Sequence, residues 1–554
     1  MAYLVAKRKS VSTTPQTQPI SRDQVKNQAG GYVFALDEWK ALDRFLILGC
    51  EGPTYYASQQ KQLDGARDLI RSTASGDPQR FAKRIADIAG ANRAPKMDPL
   101  LYALAVGAAS TSNPSPIYDV LPRVATTATH LFHFFAMSLA ERGAGSGLRR
   151  AVRAWYDGKS DADLAYQAIK YQQRDGWSHR DVLRLTHPKA DGVRNDIYRW
   201  MVKGWDDIGD EVHPNEVLAR IWGFEKMKRA SSAEEAAALV RQFNLPRECV
   251  KTEFLSSALV WEALLERMPF MAMVRNLGNM TKTGLLAPNS VAAQNVYRLL
   301  KDDERIRASR LHPIQFLSAL STYANGCGAK GKGEWVPVQA ISSALDYAVT
   351  RSFDYVEPTG KRFYLAVDVS PSMHSGEIAG IPNLSPAAAS AVLALAIAKA
   401  EAPNYVIRGF SSMEGNYRQS PFGYGVFGYG SGVSLKQLAI NDGSSVADAR
   451  RAVKDKPWGG TDCALPMMDA MAEGLPVDVF VVITDNETHS GTKHPMVALK
   501  EYRAKTGIDA KLVVIGMTST GFTIADPKDK GCLDIVGFDA ATPRLLADFA
   551  CNRI

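Results

Sequence analysis

Two groups of residues in this sequence have the types and spacing to do chemistry. The first starts at Asp368-Val-Ser370-Pro-Ser372, where one carboxylate and two hydroxyls follow the apolar run Arg362-Phe-Tyr-Leu-Ala-Val367. A strand ending there aims all three oxygens at a common point. Gly459-Gly-Thr-Asp462 offers a further hydroxyl, that of Thr461, from a loop flexible enough to reach them, and Thr484-Asp485-Asn486 adds a second carboxylate after another apolar run. Oxygen donors with few carboxylates suit one hard divalent cation completed by water, Mg²⁺ first, with Mn²⁺ or Ca²⁺ as alternatives, and suit zinc poorly. The plainer alternative is that Ser370 and Ser372 cap the following helix and Asp485 is a turn residue.

The second group is basic. Lys170 and Arg174 stand four apart at the expected end of one helix. Beyond a turn at Gly176, Arg180, Arg184 and His187 recur at helical spacing, leaving Val182, Leu183 and Leu185 for the other face. Upstream, Arg149, Arg150 and Arg153 sit beside Trp155 and Tyr156. Guanidiniums and an imidazole with aromatics nearby suit phosphate contact and base stacking. Asp175 and Asp181 interleave with them, so these residues describe an ordinary solvated face equally well.

Different architectures must position the two groups. From about Glu38 to Ser352, apolar residues recur at three- and four-residue spacing between Gly, Pro, Asn or Ser breaks, a run of short helices. Ser178-His-Arg-Asp181 and Ser232-Ala-Glu-Glu235 have the form of capping boxes, the latter opening a helix Ala233–Phe243. Such a run suggests stacked helical hairpins in a solenoid or ring, although no clean repeat period is present. After Val356-Glu-Pro-Thr-Gly360, apolar strands alternate with helices through to Cys551, which means a mostly parallel sheet covered on both faces. Ligands of such sheets bind outside the carboxyl ends of the strands, where Asp368 and Asp485 would lie. The Gly- and aromatic-rich stretch 414–432 reads as a surface insertion.

Composition narrows the function classes. The chain has 554 residues, 46% of them hydrophobic and 22% charged, ordinary values for a protein with more than one core. Its net charge of +8 is unevenly spread: residues 1–360 hold 47 Lys and Arg against 38 Asp and Glu, and residues 361–554 hold 19 against 20. A polyanion would therefore bind the N-terminal part. No apolar run is long enough to span a membrane, and Met1 to Pro19 is a short basic cluster with a polar tail. The expectation is a soluble cytoplasmic protein with no membrane partner. Six scattered cysteines, Cys50, Cys249, Cys327, Cys463, Cys532 and Cys551, fit reduced structural thiols.

The DxSxS turn, loop threonine and strand-end aspartate, in that order, resemble the metal-ion-dependent adhesion site of von Willebrand A domains. That resemblance implies that Asp368, Ser370, Ser372, Thr461 and Asp485 hold a metal which leaves one position for an acidic group of a partner. The strings KYQQRDGWSHRDVLRLTHPK, MPFMAMVRNLGNMTKTGLL, EPTGKRFYLAVDVSPSM, GGTDCALPM, VITDNETHSG and GMTSTGFTIADP further resemble the Ro autoantigen family, from about Pro19 to Ile554. The flexible basic and polar tail over 1–18 lies outside the match; the resemblance implies a ring of HEAT-like helical hairpins, the TROVE module, over 19–360, and an α/β A-type domain over 361–554. It also implies that small non-coding Y RNA binds the ring's outer surface through Lys170, Arg174, Arg180, Arg184 and His187. Misfolded RNA 3′ ends would pass through the central hole, and an exoribonuclease would be tethered through the Y RNA.

The leading expectation is thus a non-catalytic, monomeric RNA-binding protein of a ribonucleoprotein that serves RNA quality control. The metal site has hydroxyls where a two-metal phosphodiesterase needs clustered carboxylates. The contrasting expectation is a helical scaffold that uses the metal site to bind an acidic protein, with the basic stripe merely solvated.

Overall fold

The structure, a computed structural model, describes residues 14–49, 59–208, 215–328, 333–353, 358–378, 384–411, 435–454, 460–539 and 541–554. They form two compact units: a helical one of residues 45–49 and 63–353, and one that joins 14–44 to the residues after 357. The 414–432 stretch lies outside the described residues.

The helical unit is built from short helices packed in pairs. Asp98–Ser110 lies against Ala128–Arg142, Ala233–Phe243 against Ala258–Leu265, and Pro313–Ala324 against Gln339–Arg351. Asp98–Ser110 is apolar nearly all round and is buried from Pro99 to Ala108 except at Tyr102, as a helix without a polar face must be. Capping follows the sequence closely. Ser178 and Asp181 form a reciprocal capping box at the start of the helix His179–Thr186. Ser232 caps Ala233–Phe243, but the Glu235 carboxylate reaches back to the Ser231 N–H (2.9 Å) rather than to that of Ser232.

One expectation fails here. Arg174 does not extend the helix Asp161–Lys170; it lies in a hairpin of two-residue strands, Gln173–Arg174 paired with Trp177–Ser178. The hairpin turns on Asp175 (φ +52°) and Gly176 (φ +78°), the left-handed pair that an Asp-Gly turn supplies at little cost.

In the second unit, a six-stranded sheet runs in the order Cys532–Val536, Lys511–Gly516, Val479–Thr484, Phe363–Asp368, Tyr405–Phe410 and Leu435–Gln437, with only the last strand antiparallel. Phe363–Asp368 and Val479–Thr484 are buried at every position, which explains their unbroken apolar sequence. Both edge strands are invisible to periodicity. Leu435–Gln437 is only three residues long, and Cys532–Val536 is half-buried with an aspartate at its centre.

The described residues 14–44 group with the sheet unit, while residues 1–13 of the expected tail lie outside the described residues. Gln16 is fully buried, and the strands Gln24–Lys26 and Tyr32–Ala35 form a small antiparallel sheet with Phe522–Thr523. Arg44, 0% exposed, completes this attachment. Its guanidinium meets the Asp534 carboxylate at 2.6 Å and donates to the carbonyls of Thr520 (3.0 Å) and Phe522 (2.8 Å). Removing one partner of a buried ion pair strands the other, so Arg44→Leu is expected to cost about 3–5 kcal/mol. Urea unfolding followed by far-ultraviolet circular dichroism checks this; a loss under about 1 kcal/mol would contradict it.

Candidate metal centre and nucleic-acid interface

Phe363–Asp368 is a central strand, flanked by Val479–Thr484 and Tyr405–Phe410, so its carboxyl end opens where the chain departs to either side. Asp368 accepts the Ser370 N–H at 2.9 Å and the Thr484 hydroxyl at 2.6 Å. The Ser370 and Ser372 hydroxyls are 3.0 Å apart, and Ser372 hydrogen-bonds Asp485. Four of the five expected ligands are thus linked directly. Thr461 joins through its carbonyl, which accepts the N–H groups of His489 (3.0 Å) and Ser490 (3.1 Å) from the loop after Asp485.

All five are buried, and the Thr461 hydroxyl has no hydrogen-bond partner among the described residues. Burial, then the neighbouring Asp485 charge, pushes the Asp368 carboxyl up to about 7; burial also raises Asp485, against the bond from Ser372. Two buried acids, with an orphaned hydroxyl on a loop bonded to the one that follows Asp485, are the groups a hard cation would satisfy. No cluster of three or more His, Cys, Asp or Glu suited to a metal occurs among the described residues, so a cation here would depend on hydroxyl and water oxygens.

Sequence reasoning missed the next ring of polar groups. Glu487 is buried, accepts the Ala29 N–H at 2.9 Å, and is pushed up to about 8 by burial and then by Asp485. Asp462 accepts from Gln16. The only sequence signal for either is proximity to Asp485 and Thr461.

On the helical unit, Arg149, Arg180, Arg184 and His187 are exposed, and none of these side chains makes an ion pair or hydrogen bond with another described residue. Neither interleaved acid pairs with Arg180 or Arg184. Asp181 accepts from the Ser178 backbone and hydroxyl, and Asp175 pairs with His133 and, at 3.8 Å, with Arg174. Arg174 is exposed, with its Nε 3.4 Å from His133, while Lys170 is half-buried against the rings of Tyr166 and Tyr171. Arg153 donates to the Thr186 carbonyl at 2.6 Å and so ties Ser146–Asp157 to His179–Thr186, and Arg150 bonds Ser115 at 3.2 Å. His187 ends its helix in a left-handed conformation (φ +49°), and its backbone N–H, not its ring, satisfies the Leu183 carbonyl.

Two aromatics expected beside the stripe are not available to bases: Trp155 and Tyr156 are 1% and 0% exposed. Tyr156 instead bonds the buried His179 at 2.8 Å, an imidazole that burial holds neutral, at about 4. The pair anchors the stripe helix from beneath. Every described cysteine is a free thiol, and no described helix is long and apolar enough to cross a membrane.

A helix-rich module joined to a mostly parallel sheet, with DxSxS, a loop threonine and a strand-end aspartate at its carboxyl edge, defines a two-module protein with a von Willebrand A-type domain. The sequence matches the TROVE domain over residues 25–245 and 232–322 and the Ro60 vWA domain over 362–550. This chain belongs to the Ro60 family. It is 38% identical to the RNA-binding protein RO60 of Deinococcus radiodurans, over 98% of both chains. It is 32% identical to the protein of the same name from Caenorhabditis elegans, covering 97% of this chain and 92% of that one. The crystal structure of the Deinococcus radiodurans RO (RSR) protein aligns with a TM-score of 0.68 over 94% of this chain and 100% of that one, at 38% identity.

The raised carboxyls predict a pH dependence in metal-free protein. Asp368 and Glu487 titrate near 3.8 and 4.5 when unperturbed and at about 7 and about 8 when folded. Folding therefore retains their protons, and the stability this gives is fully present below about pH 4 and lost as pH rises through 7 to 8. In excess chelator, the melting temperature of the sheet unit should fall between pH 5.5 and 8.5, and Asp368→Asn should flatten that slope. A slope unchanged by the substitution would remove the link to this site.

Proposed function

We propose that this protein binds small structured non-coding RNA of the Y RNA type through the basic face of its helical unit, and holds one divalent cation at the A-type domain as a binding device. The observation that carries the RNA reading is the set of Arg149, Arg180 and Arg184: exposed, on packed helices, and without acidic partners among the described residues. Arginines left unpaired in this way suit phosphate oxygens. Lys170, Arg174, Arg150 and His187 extend the face, while Arg153 serves the helix junction. The relatives' name, RNA-binding protein, supports the assignment.

On this reading the protein is a non-catalytic component of an RNA quality-control particle. The Y-like RNA occupies the outside of the helical ring, 3′ ends of misfolded RNAs enter its hole, and an exoribonuclease joins through the RNA. At the A-type domain, Ser370, Ser372 and Thr461 would contact Mg²⁺, or Mn²⁺ in its place, with Asp368 and Asp485 coordinating directly or holding its waters. Such an ion supplies positive charge for an acidic group of a partner.

Binding of a folded Y-like RNA by the whole chain should weaken with added salt, because each neutralised phosphate releases counterions. The double variant Arg180→Ala, Arg184→Ala should lose affinity about tenfold or more, with a shallower salt slope and an unchanged melting temperature. Wild-type affinity would return the stripe to an ordinary solvated face. For the cation, Asp368→Ala should abolish Mn²⁺ binding measured by calorimetry while leaving RNA affinity intact; Mn²⁺ binding that survives the substitution places the ion elsewhere.

A further inference from the structure

The two loops that bring Thr461 and Asp485 to the candidate metal centre are joined by a third segment, the described N-terminal residues 14–31. Gln16 is fully buried among them. Its amide donates to the Asp462 carboxylate at 2.7 Å and to the Lys493 carbonyl at 2.8 Å, and its oxygen accepts from the Thr488 hydroxyl. Its backbone N–H bonds the Gly491 carbonyl at 2.9 Å. Asn27 donates to the carbonyls of Asn486 (3.3 Å) and Thr488 (2.8 Å), and Ala29 N–H meets Glu487. One side chain, Gln16, therefore bonds the residue after Thr461 and a residue of the loop after Asp485 at once.

Close approach marks the same junction. A Cβ on Gly31 would overlap the Thr488 carbonyl, one on Gly491 would overlap Gln16 and Asp462, and one on Gly460 would overlap Ser490. Three glycines thus let the N-terminal segment and both ligand loops meet at backbone distance. Apolar side chains would bury this surface equally well; amides bonded to both loops also fix their spacing.

We propose that residues 14–31 act as a clamp that sets the separation of the Thr461 and Asp485 loops, with Gln16 as its principal positioning residue. The proposal rests on the reading of this site as a divalent-cation site. Mg²⁺ demands near-ideal octahedral geometry at about 2.1 Å, whereas Ca²⁺ accepts about 2.3–2.6 Å and irregular ligation, so a site held rigidly from outside selects the smaller ion. The hydrogen-bond partners of the Gln16 side chain are Asp462, Lys493 and Thr488, so it acts on the ligand loops through Asp462 and Thr488.

The test uses the full chain, with Mn²⁺ titrated by calorimetry and Mg²⁺ and Ca²⁺ in competition. Gln16→Met keeps the side chain's length and removes its hydrogen bonds. It should weaken Mn²⁺ and Mg²⁺ by about ten- to hundredfold, Ca²⁺ by less, and so erode the preference for the smaller ion. Asp23→Asn, which disturbs only the exposed Asp23–Lys528 pair (2.6 Å) and the local Ser21 bond to the same carboxylate (3.2 Å), should keep wild-type affinities. Gln16→Met with a lower melting temperature but wild-type affinity and selectivity overturns the clamp and leaves the cation site standing. An unmodified chain that binds no Mn²⁺ overturns both. Should Gln16→Met fail to fold, Asn27→Ala, which removes two bonds to the Asp485 loop, must show the same selectivity loss, and its absence is equally decisive.

Discussion

Two carboxylates held out of water at the carboxyl ends of two neighbouring strands are the constraint around which the A-type domain is arranged. An isolated buried charge is too costly to keep, so it must be paired, hydrogen-bonded or neutralised by a proton. Asp368 and Asp485 receive part of that compensation from Ser370, Thr484 and Ser372, but the supply falls short. Their raised carboxyls and the unpartnered Thr461 hydroxyl are two signs of the same deficit. A divalent cation would remove both at once, because a metal requires its ligands deprotonated and fills the orphaned acceptor sites.

The helical unit is organised by the opposite device, cations left unpaired at the surface. What separates this face from a solvated one is the fate of its acids. Asp181 is held by the capping box and Asp175 by His133 and Arg174, so neither carboxylate forms an ion pair with Arg180 or Arg184. The helix that bears them is fixed by apolar burial of Val182 and Leu183 and by the Arg153 bond to its last turn. Its exposed side is thereby free of structural duty, and substitutions there act on binding rather than on stability.

The charge partition of the sequence follows these roles. The excess of Lys and Arg lies before residue 361, with the stripe, while the remainder of the chain is near neutral and buries Asp368, Asp462, Asp485 and Glu487 around one polar centre.

Much of this is legible in the amino-acid sequence, for identifiable reasons. Buried parallel strands must be apolar throughout, so Phe363–Asp368 and Val479–Thr484 announce themselves and carry Asp368 and Asp485 to a common edge. Ser178 and Asp181 bond within one helical turn, so spacing alone reveals their box. Arg174 escapes such reasoning because an Asp-Gly turn and a helix end offer similar residues, and only pairing with Trp177 decides between them. Trp155 and Tyr156 look available for stacking because amphipathic spacing gives a helix's periodicity but not which neighbour covers it. The attachment of residues 14–44 leaves no trace at all in the sequence. Gln16, Asn27 and Arg44 find their partners hundreds of positions away, in bonds that have no periodicity, and such contacts exist only once the chain has folded.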